Sequence, residues 1–300
     1  MRRKSTSSTT AYNVVCSLYK LGKIEAWNEL INIEVAKWNK LFAENAKDSL
    51  WKWLIYKVPC RIHASLADMV FVAGMVYHFL FRKIYIEKQF EFATSRDGIR
   101  QVVVLGGGFD SFALRMSKKY HDIQFFEIDL SATQKKKLEI IKKSRENTPQ
   151  NCHFIEADLA NASLADTLKQ HKDFNEDLHS FVVLEGVLMY MSEDEVKELF
   201  LSMRTLFKNT LTVVFGAIAK PDQSQHWQIR LVDFLLNKMG EGTKWYCPSK
   251  NMKLFMEKLG YHVIDSIDYK DLQRKYRAEA DIQKIPDEDE NYYTVAKIPL

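Results

Sequence analysis

The chain has 300 residues, of which 46% are hydrophobic, so it allows one large α/β domain or two small ones around a packed core. Its formal net charge of +4 is a small difference between 43 basic and 39 acidic residues, and such a balance gives no strong field for nucleic acid. We therefore predict no nucleic-acid partner, and we interpret the basic run at 135–137 as a solvated helix face.

Four cysteines show neither a CxxC pair nor a His-rich ligand spacing: Cys16, Cys60, Cys152 and Cys247. This pattern argues against structural zinc and against a disulfide framework, so we predict no metal site. Free cysteines fit a reducing compartment, and we expect a cytoplasmic protein.

Residues 1–10 are basic and rich in Ser and Thr, without the apolar core of a secretory signal, and we predict a mobile tail. Apolar residues then recur at spacings of three and four, which predicts helices up to Pro59. The apolar segment 69–81 contains Gly74 and His78 and is too short to span a membrane, so we predict a buried helix. We assign 11–98 to a helical extension that could form a lid, and its tryptophans, Trp27, Trp38, Trp51 and Trp53, to packing.

From residue 100 onward, apolar β-rich runs alternate with amphipathic stretches, which is typical of a largely parallel sheet. We predict one domain over 99–300, a Rossmann-like α/β fold with seven strands, mostly parallel, and one antiparallel edge strand. The predicted strands are 101–105, 123–128, 152–156, 181–184, 211–216, 261–267 and 292–297.

Four of these strands end in glycine or polar residues at what would be one edge of the sheet. The first runs into Gly106–Gly107–Gly108, which indicates a strand-loop-helix nucleotide site. The second ends in FFEIDLS, where Asp129 is placed to hold ribose hydroxyls. The third ends in IEADL, which contains Asp158, and the fourth leads to Glu185, whose charge needs a partner there. Together these endings predict a single site.

The loop sequence favours one class of cofactor over another. A dinucleotide fold has a G-x-G-x-x-G loop with room for pyrophosphate, but the third glycine would fall at Ser111. Phe109 and Asp110 would place bulk and negative charge where a pyrophosphate approaches. A cofactor with a positive sulfonium and no phosphate, S-adenosylmethionine, fits this pattern better.

Several strings, in their order along the chain, resemble the leucine carboxyl methyltransferase family, particularly its bacterial small-molecule branch. They are QVVVLGGGFDSFALRM, FFEIDLSATQKKK, ADL and EGVLMYM, with HFLFRKIYIE at 78–87 and GEGTKW at 240–245 as flanking similarities. The STTA run ending at Ala11 is a weaker similarity. The resemblance extends from about residue 65, and 12–64 match poorly.

The resemblance implies a role for each site residue. Arg82 would pair with the methionyl carboxylate of S-adenosylmethionine, and Asp129 would hold its ribose. Asp110 would orient the loop, and Gly107 stands where alanine is common in the family. The other implied cofactor-binding residues are Gly106 and Gly108 for close approach, Asp158 and Leu159 around the adenine, and Glu185 near the methionyl group.

The resemblance further implies a methyltransferase that acts on a carboxylate or hydroxyl of a small molecule. A carboxylate needs no general base, whereas a hydroxyl needs one, and His78, Glu185 and Tyr190 are the candidates. His78 and Tyr190 also fit a packing role. Three alternatives remain: a protein C-terminal carboxylate as substrate, a non-catalytic nucleoside-binding module with a partner-binding extension, and a nicotinamide-dependent oxidoreductase.

Overall fold

The computed structural model describes residues 7–24, 30–59, 75–219, 242–280 and 291–298. Helices precede the sheet within this part of the chain. They are α1 (Thr9–Leu21), α2 (Ile33–Asn45), α3 (Leu50–Lys57) and α4 (Met75–Asp97).

Strands and helices then alternate, as the sequence predicts. The elements are β1 (Gln101–Leu105), α5 (Phe112–Lys119), β2 (Gln124–Asp129), α6 (Ser131–Lys143), β3 (Cys152–Glu156), α7 (Leu164–Lys169), β4 (Ser180–Leu184), a 3₁₀ turn (Leu188–Tyr190), α8 (Glu193–Leu206), β5 (Leu211–Ile218), α9 (Ser249–Lys258), β6 (His262–Asp268), α10 (Tyr269–Ala280) and β7 (Asn291–Ile298).

The seven strands form one sheet in the order β3-β2-β1-β4-β5-β7-β6. Neighbours from β3 to β5 pair in parallel, and β7 pairs antiparallel with both β5 and β6. The predicted Rossmann-like, mostly parallel sheet is confirmed. Its antiparallel strand, β7, lies between β5 and the edge strand β6.

Alternate residues of the central strands bury two opposite faces of the sheet. Val102 and Val104 of β1 belong to a core cluster with α4, α5 and α10, whereas Val103 and Leu105 belong to a second cluster with α7, α8 and α9. Strands buried on both faces need continuous apolar sequence, which is why VVVL reads as a strand. Phe90 of α4 anchors the first cluster against four rings, those of Phe112, Tyr120, Phe125 and Phe181.

A third cluster joins the N-terminal helices to the domain. Tyr12, Trp38 and Phe42 pack with Phe109 and Leu114, and the Phe42 and Phe109 rings lie 5.9 Å apart. Phe109 is therefore buried against α2. The argument against a dinucleotide had instead assumed that this side chain lies where a pyrophosphate would approach.

The tryptophans of α3 do not pack as predicted. Trp38 is fully buried, but Trp51 and Trp53 are 62% and 46% exposed. Between them Lys52 is buried, and its ammonium donates to the Ser7 carbonyl and to Asp48. This polar contact turns α3 so that its tryptophans face outward. Trp27 lies outside the described residues.

The first described residues are held in place. Ser7 is buried and bonds Asp48, and α1 begins at Thr9, inside the segment predicted as a tail of residues 1–10. Residues 1–6 lie outside the described part of the chain. Of the predicted helix 69–81, the described residues begin at 75, where α4 starts, and Leu80 and Phe81 are buried.

The helices that the structure describes include none with the length and apolar character needed to cross a membrane. Cys16, Cys152 and Cys247 are buried and form no disulfide among the described residues, and Cys60 lies outside these residues.

Candidate functional site

The glycine loop after β1 fits into a space too small for side chains. Gly106 has φ 69°, and a Cβ there would lie 2.4 Å from Val187 Cγ2. Gly108 has φ 54°, and its Cβ would lie 3.0 Å from the Cβ of Ala11 in α1. Glycine is required at Gly106 both by conformation and by space, because L side chains rarely adopt that φ.

Asp129, at the end of β2, holds this loop. Its two carboxylate oxygens accept hydrogen bonds from the backbone N–H groups of Gly108 and Leu130, each at 2.6 Å. The residue is 8% exposed, so its charge is stabilised mainly by such donors. Each carboxylate oxygen has two lone pairs and can accept more than one hydrogen bond.

Four charged side chains, Arg82, Lys83, Asp110 and Glu185, meet beside the loop, and we call them the charged quartet. Lys83 Nζ lies 2.8 Å from Asp110 Oδ2 and 3.0 Å from Glu185 Oε1. Arg82 Nε lies 2.7 Å from the same Glu185 oxygen, although its N–H is not aimed at it. The quartet thus joins α4 to the ends of β1 and β4.

Burial disfavours the charged forms of these side chains, but their neighbours outweigh this effect for Arg82, Lys83 and Asp110. Burial is the largest effect and lowers the pKa of Arg82, but Glu185, Tyr293 and Tyr190 together raise it above its usual value. The pKa of Lys83 is raised in the same way by Asp110 and Glu185. The pKa of Asp110 is lowered despite burial, chiefly by Lys83. All three therefore carry full charge at neutral pH.

The two candidate catalytic residues have different surroundings. His78 is 3% exposed, its Nε2 lies 2.5 Å from the Tyr293 hydroxyl, and its ring packs on Tyr269. Burial, with Arg82 nearby, holds the pKa of His78 well below its usual value. These contacts favour the packing role for His78. Tyr190 ends the 3₁₀ turn after β4, is half-buried, and lies close enough to Arg82 to contribute to its pKa.

The third strand brings Asp158 and Leu159 to the same edge of the sheet. Asp158 is exposed and accepts hydrogen bonds from Ala160 N at 3.1 Å and from Asn161 Nδ2 at 2.8 Å. Leu159 is half-buried against the core. The backbone N–H of Ala157 donates to the Asp129 carbonyl at 3.0 Å, which ties this edge to β2.

Sequence reasoning missed three residues at the site. The first is Lys83, which adjoins Arg82 in the sequence. Two adjacent cations on one helix, followed by Asp110 and Glu185 near two strand ends, were a signal for this contact. Glu127 and Lys137 form a fully buried ion pair, with Oε1 and Nζ 2.5 Å apart, beneath Gly107. The prediction that residues 135–137 form a solvated helix face was wrong for Lys137, which is 0% exposed. Burial, opposed by Lys137, raises the pKa of Glu127 to about 7.

A parallel sheet with a glycine loop and acidic strand ends at its carboxyl edge defines a Rossmann-like nucleotide-binding fold. The family model for Leucine carboxyl methyltransferase matches residues 36–204, more than half of the chain. The chain belongs to this family. The match begins within α2, well upstream of residue 65, where the motif resemblance begins, and it ends before the GEGTKW string.

Two relatives match parts of the chain. A Bacillus subtilis (strain 168) protein assigned as an S-adenosyl-L-methionine-dependent methyltransferase, YktD, is 32% identical over 33% of this chain and 32% of its own length. Leucine carboxyl methyltransferase 1 of Caenorhabditis elegans is 31% identical over 44% of this chain and 46% of its own length. The matches therefore span less than half of each relative.

Solved structures share the fold over nearly the whole chain. A protein assigned as a methyltransferase from Thermobifida fusca YX has a TM-score of 0.60 at 12% identity, covering 99% of this chain and 97% of its own. A DUF574 family protein from Streptomyces avermitilis MA-4680 has a TM-score of 0.57 at 12% identity, covering 86% and 100%. At this identity the similarity shows the fold.

Proposed function

We propose that the protein is an S-adenosylmethionine-dependent O-methyltransferase that acts on a carboxylate or hydroxyl of a small molecule. The observation that carries the proposal is the orientation of Arg82. Its Nε lies 2.7 Å from Glu185 Oε1, and none of the hydrogen bonds seen among the described residues involves Nη1 or Nη2. The two terminal nitrogens of a guanidinium can donate a pair of parallel hydrogen bonds to one carboxylate.

The residues present fit this cofactor. Arg82 would take its methionyl carboxylate, Glu185 would line the methionyl part, and Asp129 would hold the ribose. Asp158 and Leu159 would frame the adenine at the end of β3. A Cβ at Gly106, Gly107 or Gly108 would meet a neighbouring side chain at 2.4–3.0 Å, so the three glycines let the loop turn tightly at the end of β1.

The protein's part in the reaction is positioning. The cofactor, when bound, supplies a methyl group already activated by a positive sulfonium. The charged quartet would fix one end of the site and the Asp129 carboxylate the other, and such positioning contributes up to about 7–11 kcal/mol to a barrier. A carboxylate acceptor needs no base; for a hydroxyl acceptor the candidate proton acceptors are the Glu185 carboxylate and Tyr190 in its phenolate form.

We also propose that helices within 11–98 close one side of the site. The support is the contact of α1 with the loop, where Ala11 Cβ lies 3.0 Å from the Cβ position of Gly108. Ser8 N donates to Thr133 Oγ1 of α6 at 3.0 Å, which holds the start of α1 there. A cytoplasmic location remains part of the proposal, supported by described cysteines that form no disulfide.

A second substrate class has its own support. The similarity to the Caenorhabditis elegans enzyme named Leucine carboxyl methyltransferase 1 favours a protein's C-terminal carboxylate. Incubating the chain with labelled cofactor, and either a metabolite extract or peptides with free and amidated C-termini, distinguishes the two. Label on a small molecule supports the primary proposal. Label on the free peptide alone replaces it with protein carboxyl methylation.

Calorimetric titration of S-adenosylmethionine tests the site itself. Arg82→Ala and Asp129→Ala each lose a charged hydrogen-bonding group, which costs about 1.5–3 kcal/mol of binding free energy. Arg96→Ala, an exposed arginine on the same helix, is the matched control and should bind as the parent does. Absence of binding to the parent chain at millimolar cofactor would leave the nucleoside-binding module or the oxidoreductase, which titration of adenosine and of a nicotinamide dinucleotide separates.

A further inference from the structure

A second cluster of metal-ligand side chains lies away from the cofactor site. His153, His171 and Asp173 each offer one ligand atom, and these atoms lie within 4.8 Å of one another. His153 is at the start of β3, and the other two lie in the turn after α7. Asp158 lies beyond the opposite, carboxyl end of β3, so this cluster is separate from the charged quartet and from Asp129.

The distances suit one small ion. Asp173 Oδ2 lies 3.7 Å from His153 Nε2 and 3.9 Å from His171 Nδ1. Tetrahedral zinc with ligands at about 2.0–2.2 Å places its ligand atoms about 3.3–3.6 Å apart. Closing the cluster onto an ion therefore needs movements of roughly an ångström, which side-chain rotation supplies.

A fourth donor is already in contact. Gln124 Oε1, at the start of β2, lies 2.9 Å from His153 Nε2. When Nε2 carries the proton, it donates to this oxygen. If the proton moves to Nδ1, Nε2 becomes a ligand and the Gln124 oxygen faces the same ion. The Asp173 N–H donates to His171 Nδ1 at 3.3 Å, a long bond whose loss costs little.

Ring packing limits the two imidazoles to small movements. Their ring centroids are 4.2 Å apart, and Phe126 packs on both, at 5.0 Å from His153 and 5.2 Å from His171. The His153 side chain is 12% exposed and that of Asp173 is 36% exposed, so an ion has a path from solvent. Lys172, which is exposed, is the nearby positive charge that opposes a cation.

We propose that His153, His171 and Asp173, with Gln124 as fourth donor, bind a divalent transition metal of the zinc type. Imidazole nitrogens with one carboxylate select such ions over magnesium or calcium, which prefer oxygen ligands. The ion would fasten the turn after α7 to β2 and β3. Its role is structural, and it is independent of the proposed methyl transfer.

Titration of the full chain with Zn²⁺, after chelator treatment and removal of any affinity tag, tests the site. The parent chain and His121→Ala, which removes an exposed imidazole elsewhere, should each bind one Zn²⁺. His171→Ala and Asp173→Asn should bind at least about tenfold more weakly, and Gln124→Ala about tenfold more weakly with unchanged stoichiometry. Mg²⁺ should produce no heat.

Two further measurements keep the proposal falsifiable. Zn²⁺ should raise the Tm of the parent chain and of His121→Ala but not of Asp173→Asn, and Co²⁺ should give the visible absorption of a four-coordinate site. Binding that His171→Ala and Asp173→Asn leave unchanged, or no binding to the parent chain, would overturn the site. Parent-like zinc affinity in Gln124→Ala would remove Gln124 from it. S-adenosylmethionine affinity should be equal in all these variants, which separates this test from that of the cofactor site.

Discussion

Replacing Gly107 by alanine should destabilise the fold, because Glu127 already fills the space beside it. An ideal Cβ at residue 107 would lie 2.6 Å from both Cγ and Cδ of Glu127. Carbon atoms pack at about 3.5–4.0 Å, so about 0.9 Å of overlap must be relieved. Glu127 yields poorly, since it is 1% exposed and its carboxylate is paired with Lys137. Overpacking of this kind costs about 1–3 kcal/mol.

Urea unfolding followed by circular dichroism measures this cost. Gly22→Ala is the matched control, because residue 22 has φ −63° and its Cβ would meet no atom closer than 3.5 Å. We expect the control to stay within about 0.5 kcal/mol of the parent. If Gly107→Ala is as stable as Gly22→Ala, the reasoning fails. A cycle with Glu127→Ala should show that the cost of Gly107→Ala falls once the glutamate is gone.

Two other substitutions test buried cations. Lys52→Met should lower the free energy of unfolding by about 1–3 kcal/mol, because it removes the donor to Ser7 and Asp48. Urea unfolding measures this change, and an unchanged midpoint would contradict the role of the contact. Lys83→Met should shift acid unfolding to higher pH. Burial raises the pKa of Asp110, but its cationic neighbours, chiefly Lys83, lower it further, so its stabilisation is present above about pH 4 and lost as the pH falls. A parent-like acid midpoint in Lys83→Met, with Lys253→Met as exposed control, would refute this role.

Local sequence was sufficient to predict the strands, because each strand is a short apolar run with a clear end. The predicted bounds 101–105 and 152–156 coincide with those of β1 and β3, where apolar runs stop at glycine or charge. The position of β7 between β5 and β6 could not be predicted from local sequence in the same way. It depends on contacts far apart in sequence, such as Tyr293 against Gly216 of β5, where a Cβ would lie 2.9 Å from the ring.

The site residues at strand ends could be predicted from sequence, whereas those on helices were harder to predict. Asp129 is the last residue of β2 and Glu185 directly follows β4, so the sequence indicated which edge of the sheet they share. Lys137 looked like part of a solvated run because helical charge is usually exposed, and only its burial against Glu127 shows otherwise. His153 and His171 belong to different elements, so no spacing rule joins them until the turn after α7 brings them together.

The strand order has a consequence for synthesis of the chain. The edge strand β6 pairs with β7 alone, and β7 pairs with β5, so β6 has no sheet neighbour until residues 291–298 have emerged from the ribosome. Until then the side of β5 that receives β7 is an open template for other strands. Nascent chains should therefore depend on chaperones longest at this point, and truncation before residue 291 should produce aggregation more readily than loss of a few surface residues elsewhere.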